Sequence, residues 1–474
     1  APLSHFGRKV NNPTQNVVQK NAEKPLLGMW YGCSRRVSWR NQRTWLIFIT
    51  ITCSVVGNIV FIRSIIKDSA NDITVKAFKP KASLYSSLLD KYFVLINNEY
   101  RLKTANDSYL NCAAIASSIT RGDYIASGWT KSTYRGTYNG TINVAVKVVN
   151  AGGHDISECL KKDSKKKLEE CQRDASAKVL NEILYHSWLS HSNIARMYGY
   201  CVPKEYLLDN LIGSLVIVTE LGEPLDIIRL LQMSWEDRLR VSLGLARLLS
   251  YMSKDIHGPV LVSDFRRQQF VLRDGEVKLS DLDDVGFGDP ACSAMMDCEI
   301  VEGIQVQCVS ANCQNFAERS NVLKTGRHFM NFLLMPSVPH LLEDRVRQIA
   351  DAYLTASWSA NKLLRETEVV AKLFSNGSYR SQSMTYLTGY IRQNQSDLLG
   401  RFDYRCRISL SGNSCVLSVF DEEEAAETCS LDIACKAFVV TQQRSWSGRK
   451  IVHFKNGYSG PTHSSATTLY RRKG

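Results

Sequence analysis

Apolar and polar residues alternate between Tyr124 and Val149, and this period of two predicts a β-meander. Valines recur at every second position from 144 to 148, and Asn139-Gly140 is a favoured sequence for a hairpin turn. A continuous apolar run at 215–218 predicts a further strand that is buried on both faces. The first half of the pattern therefore predicts a strand-rich lobe.

Other segments repeat their apolar residues with the period of an α-helix. Positions 175–189 and 235–252 show this period, and Ser234 stands where an N-cap residue would begin the second helix. A third amphipathic stretch, 341–374, would close the same half of the molecule. Strands followed by helices in this order predict an α+β fold of two lobes.

Between Gly258 and Asp284 the pattern changes to short strands joined by polar loops. The apolar runs are 260–262, 270–272 and 277–279. Asp274-Gly275, between the second and third runs, is a strong signal for a two-residue hairpin. We therefore predict strand, loop, strand, turn and strand in this segment.

The loops of this segment hold the residues with candidate chemistry. Asp264 follows the first apolar run, Gln269 comes five residues later, and Asp281 follows the third run. A protein-kinase catalytic loop has this layout, with a catalytic aspartate, a carboxamide, a hairpin and a metal-binding aspartate. The spacing predicts Asp264 as the catalytic base, and Asp281 and Gln269 as ligands for Mg²⁺ or Mn²⁺.

The other parts of a kinase precede this segment in the expected order. Lys147 lies in a predicted strand and would contact the phosphates of ATP, while Glu182 lies on a predicted helix and would pair with Lys147. Glu220 and Gly222 follow the buried strand, as a hinge that would bind adenine through its backbone. Taken singly, each could be an ordinary surface residue, but their order across the chain is more specific.

Four features depart from the common kinase pattern. The phosphate-binding turn keeps a glycine at Gly128 but is otherwise glycine-poor, so we expect the Lys131 side chain to compensate by contacting phosphate. Gln269 replaces asparagine, and Asp281-Leu282-Asp283 replaces Asp-Phe-Gly. Ser263 replaces the arginine that pairs with an activation-loop phosphate, which predicts activity without loop phosphorylation. No Ala-Pro-Glu motif is visible further along the sequence.

Two longer segments resemble one family closely. They are TELGEPLDIIRLLQMSWEDRLRVSLGLARLL and VSDFRRQQFVLRDGEVKLSDLDD, and with the cysteine-rich run behind them they resemble the vertebrate lonesome kinase family of divergent secretory-pathway kinases. The resemblance covers residues 119–384 and implies a bilobal protein-kinase fold, whose domain we place at 119–375. It also implies ATP-dependent phosphorylation of tyrosine in secreted or extracellular proteins.

An uncharged apolar stretch, 45–62, precedes all of these parts and is long enough to cross a bilayer. Its larger cationic flank is N-terminal, which predicts a cytosolic basic tail at 1–44, a transmembrane signal anchor and a lumenal stem at 63–118. A cleaved signal peptide and a buried core helix are the alternatives. The prediction is a single-pass type II protein of the Golgi or ER membrane, with release to the extracellular space left open.

Glycosylation sites and cysteines agree with a lumenal location. Four N-glycosylation sequons follow the apolar stretch, at Asn106, Asn139, Asn376 and Asn394. Twelve of the 14 cysteines also follow it, and an even number suits disulfides in an oxidising compartment.

The net charge of +13 does not indicate a nucleic-acid-binding protein. Residues 1–67 hold ten of the 59 lysines and arginines but one of the 46 acidic residues. The rest of the chain is nearly balanced, so we expect no nucleic acid as a partner.

The cysteines fall into groups along the chain. Cys159 and Cys171 could staple a polar insert at 151–174. The group Cys292, Cys298, Cys308 and Cys313 could bind zinc, but an oxidising lumen favours two disulfides, and the sequence leaves three pairings open.

The composition changes after the kinase-like region. A polar stretch at 376–400 reads as a linker, and 401–474 reads as a small cysteine-rich β module. Its segment CSLDIACKAFVV, followed by WSGRKIVHFKNG, loosely resembles a PAN/apple-like disulfide module, which implies binding to protein or glycan.

Three functions remain open at this point. The first is a lumenal protein kinase that phosphorylates secreted proteins, with tyrosine as the expected acceptor. The second is a glycan kinase that transfers phosphate to a sugar hydroxyl. The third is a catalytically weak pseudokinase that serves as a binding scaffold, favoured by the glycine-poor turn and Gln269.

Overall fold

The computed structural model describes residues 84–473, apart from 104–107, 163–165, 205–214, 302, 381–384, 407–408 and 410–412. The predicted basic tail, signal anchor and first part of the stem lie outside the described residues. Within the described part of the chain, no helix is both long and apolar enough to cross a membrane.

The described residues of 84–118 are part of the N-terminal lobe, which corrects the predicted stem. Tyr85, Leu88 and Phe93 are buried in one core with apolar residues of the long helix at 168–188, and a disulfide joins Cys112 to Cys201. The apolar residues of this segment therefore form a packing face. The elements here are α1 (Leu84–Tyr92), β1 (Phe93–Ile96), β2 (Glu99–Leu102) and α2 (Cys112–Ser118).

A five-stranded antiparallel sheet forms the centre of the N-terminal lobe, as the alternating pattern predicts. Its strands are β3 (Ile119–Ser127), β4 (Lys131–Tyr138), β5 (Ile142–Val149), β6 (Met197–Cys201) and β7 (Val216–Glu220), in the spatial order β3-β4-β5-β7-β6. Two helices, α3 (His154–Lys162) and α4 (Leu168–Trp188), lie between β5 and β6 in the chain. Helix α4 packs against the sheet, and α3 packs against α4.

The second lobe is mainly helical. It begins with β8 (Glu223–Pro224), α5 (Ile227–Gln232), α6 (Trp235–Met252), β9 (Val260–Val262), β10 (Phe270–Arg273), β11 (Glu276–Leu279) and β12 (Val285–Phe287). Four short strands follow: β13 (Glu299–Val301), β14 (Ile304–Gln305), β15 (Cys308–Val309) and β16 (Asn312–Cys313). The lobe closes with α7 (Phe316–Thr325), a π-helical turn (Gly326–Met330), α8 (Asn331–Leu333), α9 (Glu343–Thr355) and α10 (Ala360–Ser375).

Local sequence signals explain where two of these elements begin and turn. The Ser234 hydroxyl accepts a hydrogen bond from the backbone N–H of Asp237, which satisfies one of the free donors at the start of α6. Strands β10 and β11 are joined by the predicted two-residue turn, in which Asp274 and Gly275 have φ angles of 52° and 79°. Both positive angles are those that a twisted hairpin requires, and glycine adopts them without strain.

The C-terminal module contains a helix as well as strands. Helix α11 (Glu422–Leu431) packs on a sheet of β17 (Tyr390–Asp397), β18 (Cys415–Val419), β19 (Ala437–Arg444), β20 (Lys450–Lys455) and β21 (Thr462–Arg472), in the order β17-β21-β19-β20-β18. Disulfides join Cys406 to Cys415 and Cys429 to Cys435. Because β17 pairs with β21, the part of the predicted linker from Tyr390 onward belongs to this module, which corrects that boundary.

The module docks on the second lobe through buried charged residues, which we call the module contact. At the start of α6, the Glu236 carboxylate accepts hydrogen bonds from the hydroxyls of Ser418, Ser445 and Ser447. Arg449, 1% exposed, donates to the Phe374 carbonyl and to the Glu424 carboxylate, each at 2.6 Å. Its guanidinium carbon also lies 4.0 Å from the centre of the Phe374 ring.

Candidate active site

The predicted lysine–glutamate pair forms between β5 and α4. Lys147 Nζ lies 2.6 Å from Glu182 Oε1, and it also donates to the Ser280 carbonyl just before Asp281. The two residues are almost fully buried, which removes the competition of water and strengthens their attraction. The structure thus brings together the two residues that the kinase order of parts pairs.

Lys131 occupies a position that the sequence did not indicate. Its ammonium lies 2.6 Å from Glu182 Oε2, 2.6 Å from Asp281 Oδ1 and 2.8 Å from Asp283 Oδ2. We call these residues with Lys147 the charge cluster. Two lysines thus meet three carboxyl groups, of which Glu182 lies about one hundred residues before the other two, and Lys131 contacts all three.

The charge cluster shifts the pKa values of its members. Burial opposes the charged form of Lys131, but Asp281, Asp283 and Glu182 raise its pKa well above the usual value. Glu182 is also buried, yet Lys131 and Lys147 hold its pKa well below the usual value. Both residues therefore stay ionised at neutral pH.

The two aspartates of the charge cluster differ in the direction of their shifts. Although burial opposes ionisation, Lys131 holds the pKa of Asp281 below its usual value. Burial and the neighbouring Asp281 charge raise the pKa of Asp283 to about 8. Asp281 is therefore the carboxylate that is ready to bind a metal ion, since ligands must be deprotonated.

The predicted catalytic loop is linked to this cluster by hydrogen bonds. Asp264 is bound by the guanidinium of Arg266, whose Nη2 lies 2.7 Å from Asp264 Oδ2, and by the amide nitrogen of Gln269. The backbone N–H of Ser280 donates to the Gln269 carbonyl at 2.8 Å. A continuous chain of contacts therefore leads from Lys147 through Ser280 and Gln269 to Asp264.

Helix α7 fixes the backbone of this loop. The Asn321 side chain accepts from the N–H of Val262 at 3.1 Å and donates to the Val260 carbonyl at 2.7 Å, while Lys324 donates to the Ser263 carbonyl at 2.8 Å. Both side chains are buried, although six of the ten residues of α7 are polar. Their partners lie 61 residues away in the chain, so no local pattern in the sequence indicates this support.

The glycine-poor turn is fixed by the insert that follows β5. Asn150 donates from its backbone to the Thr130 carbonyl at 2.8 Å and from its side chain to the Gly128 carbonyl at 3.2 Å. The Thr130 hydroxyl donates to Asp155 at 2.6 Å, and the predicted disulfide joins Cys159 in α3 to Cys171 in α4. The insert therefore helps to hold the turn in place.

The hinge runs close to β10. A Cβ atom on Gly222 would lie 2.6 Å from Val271 Cγ2, so glycine is needed for this approach. The Glu220 side chain pairs with Lys278, at 2.9 Å, and its backbone N–H donates to the Arg196 carbonyl, also at 2.9 Å. A cavity of about 780 Å³ opens beside this hinge, lined by Gly222 and Leu272 among others.

The activation segment is closed by two disulfides. Cys292 pairs with Cys308, and Cys298 pairs with Cys313. Three of these sulfurs come within 4.8 Å of one another, but paired sulfurs are not the thiolates that zinc binds, so the structure decides for disulfides. At the base of the segment, Asp289 accepts from the N–H groups of two residues at the start of α7.

The donor set of the cleft fits a divalent cation and the phosphates of a nucleotide. Asp281 and Asp283 present carboxylate oxygens, the ligands that Mg²⁺ and Mn²⁺ prefer, and already surround an ammonium group. Lys147 would approach the phosphates, and the Gly222 hinge would receive the base. Gln269, by contrast, turns its amide nitrogen towards Asp264.

A two-lobed α+β fold with a buried lysine–glutamate pair and two aspartates at one cleft places the chain in the protein-kinase class. The chain is 34% identical over 365 residues to extracellular tyrosine-protein kinase PKDCC of Homo sapiens, which covers 76% of this chain and 73% of that protein. The chain therefore belongs to the vertebrate lonesome kinase family of secretory-pathway kinases.

More distant relatives agree with the protein-kinase class. Serine/threonine-protein kinase CDG1 of Arabidopsis thaliana is 24% identical over 301 residues, covering 57% of this chain and 63% of that protein. Probable serine/threonine-protein kinase PBL24 of the same species is 31% identical over 133 residues, covering 24% and 30%. No family model matches the chain.

Proposed function

We propose that this chain is an active, ATP-dependent protein kinase that phosphorylates tyrosine in secreted or lumenal proteins. The observation that carries the proposal is the chain of contacts from Lys147 to Asp264, with Glu182 bound to Lys147 and Asp281 joined to Glu182 through Lys131. These are the residues that phosphoryl transfer needs in one cleft. A binding scaffold has no need for all four to meet.

In this proposal each residue acts mainly by position and charge. Lys147, held by Glu182, binds the phosphates of ATP, and Asp281 holds a divalent cation, which neutralises charge on the transferred group. Asp264 orients the acceptor hydroxyl and takes its proton. For this step the carboxylate must face the acceptor, and Arg266 and Gln269 keep it oriented through their hydrogen bonds.

The proposed compartment rests on the cysteines and on the relative. All twelve cysteines in the described part of the chain pair in six disulfides, which suits folding in an oxidising compartment. PKDCC is named an extracellular tyrosine-protein kinase, and this name supports tyrosine as the acceptor. We retain anchoring in a Golgi or ER membrane by residues 45–62 as part of the proposal.

The test is phosphate transfer by the full chain, produced in a secreting eukaryotic host. The purified protein is incubated with ATP and Mg²⁺ or Mn²⁺, and with tyrosine peptides, serine/threonine peptides and glycosylated acceptors in parallel. We expect transfer to tyrosine, and a loss of about 10²- to 10⁴-fold in Asp264→Asn, the range for removing a general base. Transfer to sugar alone would indicate a glycan kinase.

The scaffold alternative has its own signature in the same experiment. A protein that binds nucleotide or partner proteins but transfers phosphate to none of these acceptors would be a pseudokinase. Nucleotide binding by Asp264→Asn is the matched control, because this substitution leaves the charge cluster intact. Equal nucleotide affinity in the variant and the parent assigns any lost transfer to chemistry.

A further inference from the structure

Lys131 uses all of its hydrogen-bonding capacity inside the cleft. An ammonium group has three donors, and the three contacts at 2.6 to 2.8 Å go to Glu182, Asp281 and Asp283. The residue is 6% exposed. A lysine that merely approached phosphate from the rim would keep its charged end in water. This side chain is instead built into the carboxylate cluster.

The backbone around Lys131 fixes this position. Lys131 opens β4, where it pairs in register with Val149, and its carbonyl accepts a hydrogen bond from the Gly128 N–H at 2.7 Å. Thr130 is held by Asn150 and Asp155 of the following segment. The ammonium is thus delivered from a rigid part of the sheet and turn.

The surroundings of Lys131 also differ from those of an ordinary kinase. Asp283 stands where the Asp-Phe-Gly motif has glycine, and it adds a carboxylate beside Asp281. Protein kinases hold two Mg²⁺ ions, one of them through a catalytic-loop asparagine. Gln269 stands at that asparagine position, and its amide nitrogen donates to Asp264, which leaves its amide oxygen as a ligand group. The feature that differs is the ammonium of Lys131, which stands among the neighbouring carboxylate oxygens.

On the basis of the proposed function, we infer that Lys131 replaces one of the two divalent cations of a protein kinase. The nucleotide is then held with a single divalent ion at Asp281, while Asp283 retains Lys131. Lys147 differs from Lys131 because its ammonium contacts Glu182 and the Ser280 carbonyl. In this inference Lys147 binds phosphate, whereas Lys131 takes the place of a divalent cation.

The experiment counts Mn²⁺ ions bound to the full chain with a non-hydrolysable ATP analogue, by titration calorimetry and by paramagnetic resonance of free Mn²⁺. We expect a single bound ion per protein–nucleotide complex in the parent. Lys131→Met keeps the length of the side chain and removes its charge, so Asp283 becomes free to bind. This variant should take up a second Mn²⁺ ion.

Lys147→Met is the matched control, since it removes an equal charge from the same cleft. It should weaken nucleotide binding and leave the number of ions unchanged. Two ions in the parent, or an unchanged count in a folded Lys131→Met, would overturn the inference. If Lys131→Met does not fold, the number of Mn²⁺ ions bound by the parent is by itself the test of the inference. A parent that binds no nucleotide would instead overturn the proposed function.

Discussion

The charge cluster and the module contact both bury charged side chains, but they stabilise them in different ways. In the charge cluster, lysines and carboxylates meet directly, and Lys131 alone contacts three acids. In the module contact, Glu236 is held by three neutral hydroxyls, and Arg449 by two carbonyls, a ring and one acid. The charged groups of the first site have charged partners, whereas most partners in the second site are neutral.

This difference separates a site made for chemistry from one made for docking. Ion pairs in a buried cleft can exchange a lysine contact for a phosphate or a cation, because all the partners are charged. The hydroxyl and carbonyl partners of the module contact offer no such exchange, and they fix one geometry. We therefore expect cleft substitutions to change phosphate transfer, and contact substitutions to change the free energy of unfolding.

Among the variants that compare the two sites, the largest effect is expected from Lys147→Met. Loss of one preorganised cation should lower the rate of phosphate transfer by about 10²- to 10³-fold, as for removal of one oxyanion-hole donor. Steady-state kinetics measure it, and Lys450→Met, in the module, is the control with full activity. A variant that kept its rate would show that the cleft is not the site of transfer.

The next largest effect is expected from Arg449→Met, and it is measured as the change in the free energy of unfolding in urea. The variant leaves the Phe374 carbonyl and part of Glu424 without their partner, so we expect a loss of about 3 kcal/mol. Arg345→Met removes an exposed ion pair with Glu366 and should cost about 0.5 kcal/mol or less. Equal losses in the two variants would mean that the module does not dock through Arg449.

A smaller effect is expected from Glu236→Gln, which keeps the shape but removes the charge. Hydrogen bonds to a charged group are stronger than neutral ones, so unfolding should become easier by about 1 to 2 kcal/mol. The same urea experiment applies, with Glu366→Gln as the surface control. The rate of phosphate transfer per folded molecule should not change, and a large fall in that rate would erase the contrast between the two sites.

The smallest effect is expected from phosphatase treatment. Ser263 replaces the arginine that usually reads a loop phosphate, and its carbonyl is bound by Lys324 of α7. Dephosphorylated protein should therefore transfer phosphate at the same rate as untreated protein, with mass spectrometry confirming removal. A fall in rate that matches the loss of a phosphate between Asp289 and Asn315 would contradict this expectation.

Sequence patterns located much of the cleft because its residues sit at fixed places on regular elements. Lys147 on an alternating strand, Glu182 on a helix and Asp281 after a hairpin follow from the periods of their own segments. The Lys147–Glu182 contact could be predicted because the order of parts is that of a kinase. The two disulfides of the activation segment were also predicted, though not their pairing.

The rest depends on contacts that no local period contains. Lys131 was expected to face phosphate, but its three acids are brought to it by α4 and by the loop after β11. Residues 84–118 were predicted as a stem because α1 is short. Its apolar face is recognised as a packing face only once α4 is known to lie against it. Likewise, β17 looks like a polar linker, since an edge strand is defined by its pairing with β21.

The cross-linked segment between Asp289 and Asn315 has a consequence for control. Its shape is set once, when its cysteines oxidise, and a covalent bond does not open and close with each signal. Under the proposed function, the amount of phosphorylated product would then follow the rate of synthesis, the route of secretion and the supply of ATP outside the cytosol. Under this proposal the protein is active once its disulfides have formed, and its output is controlled by how much of it is made and secreted.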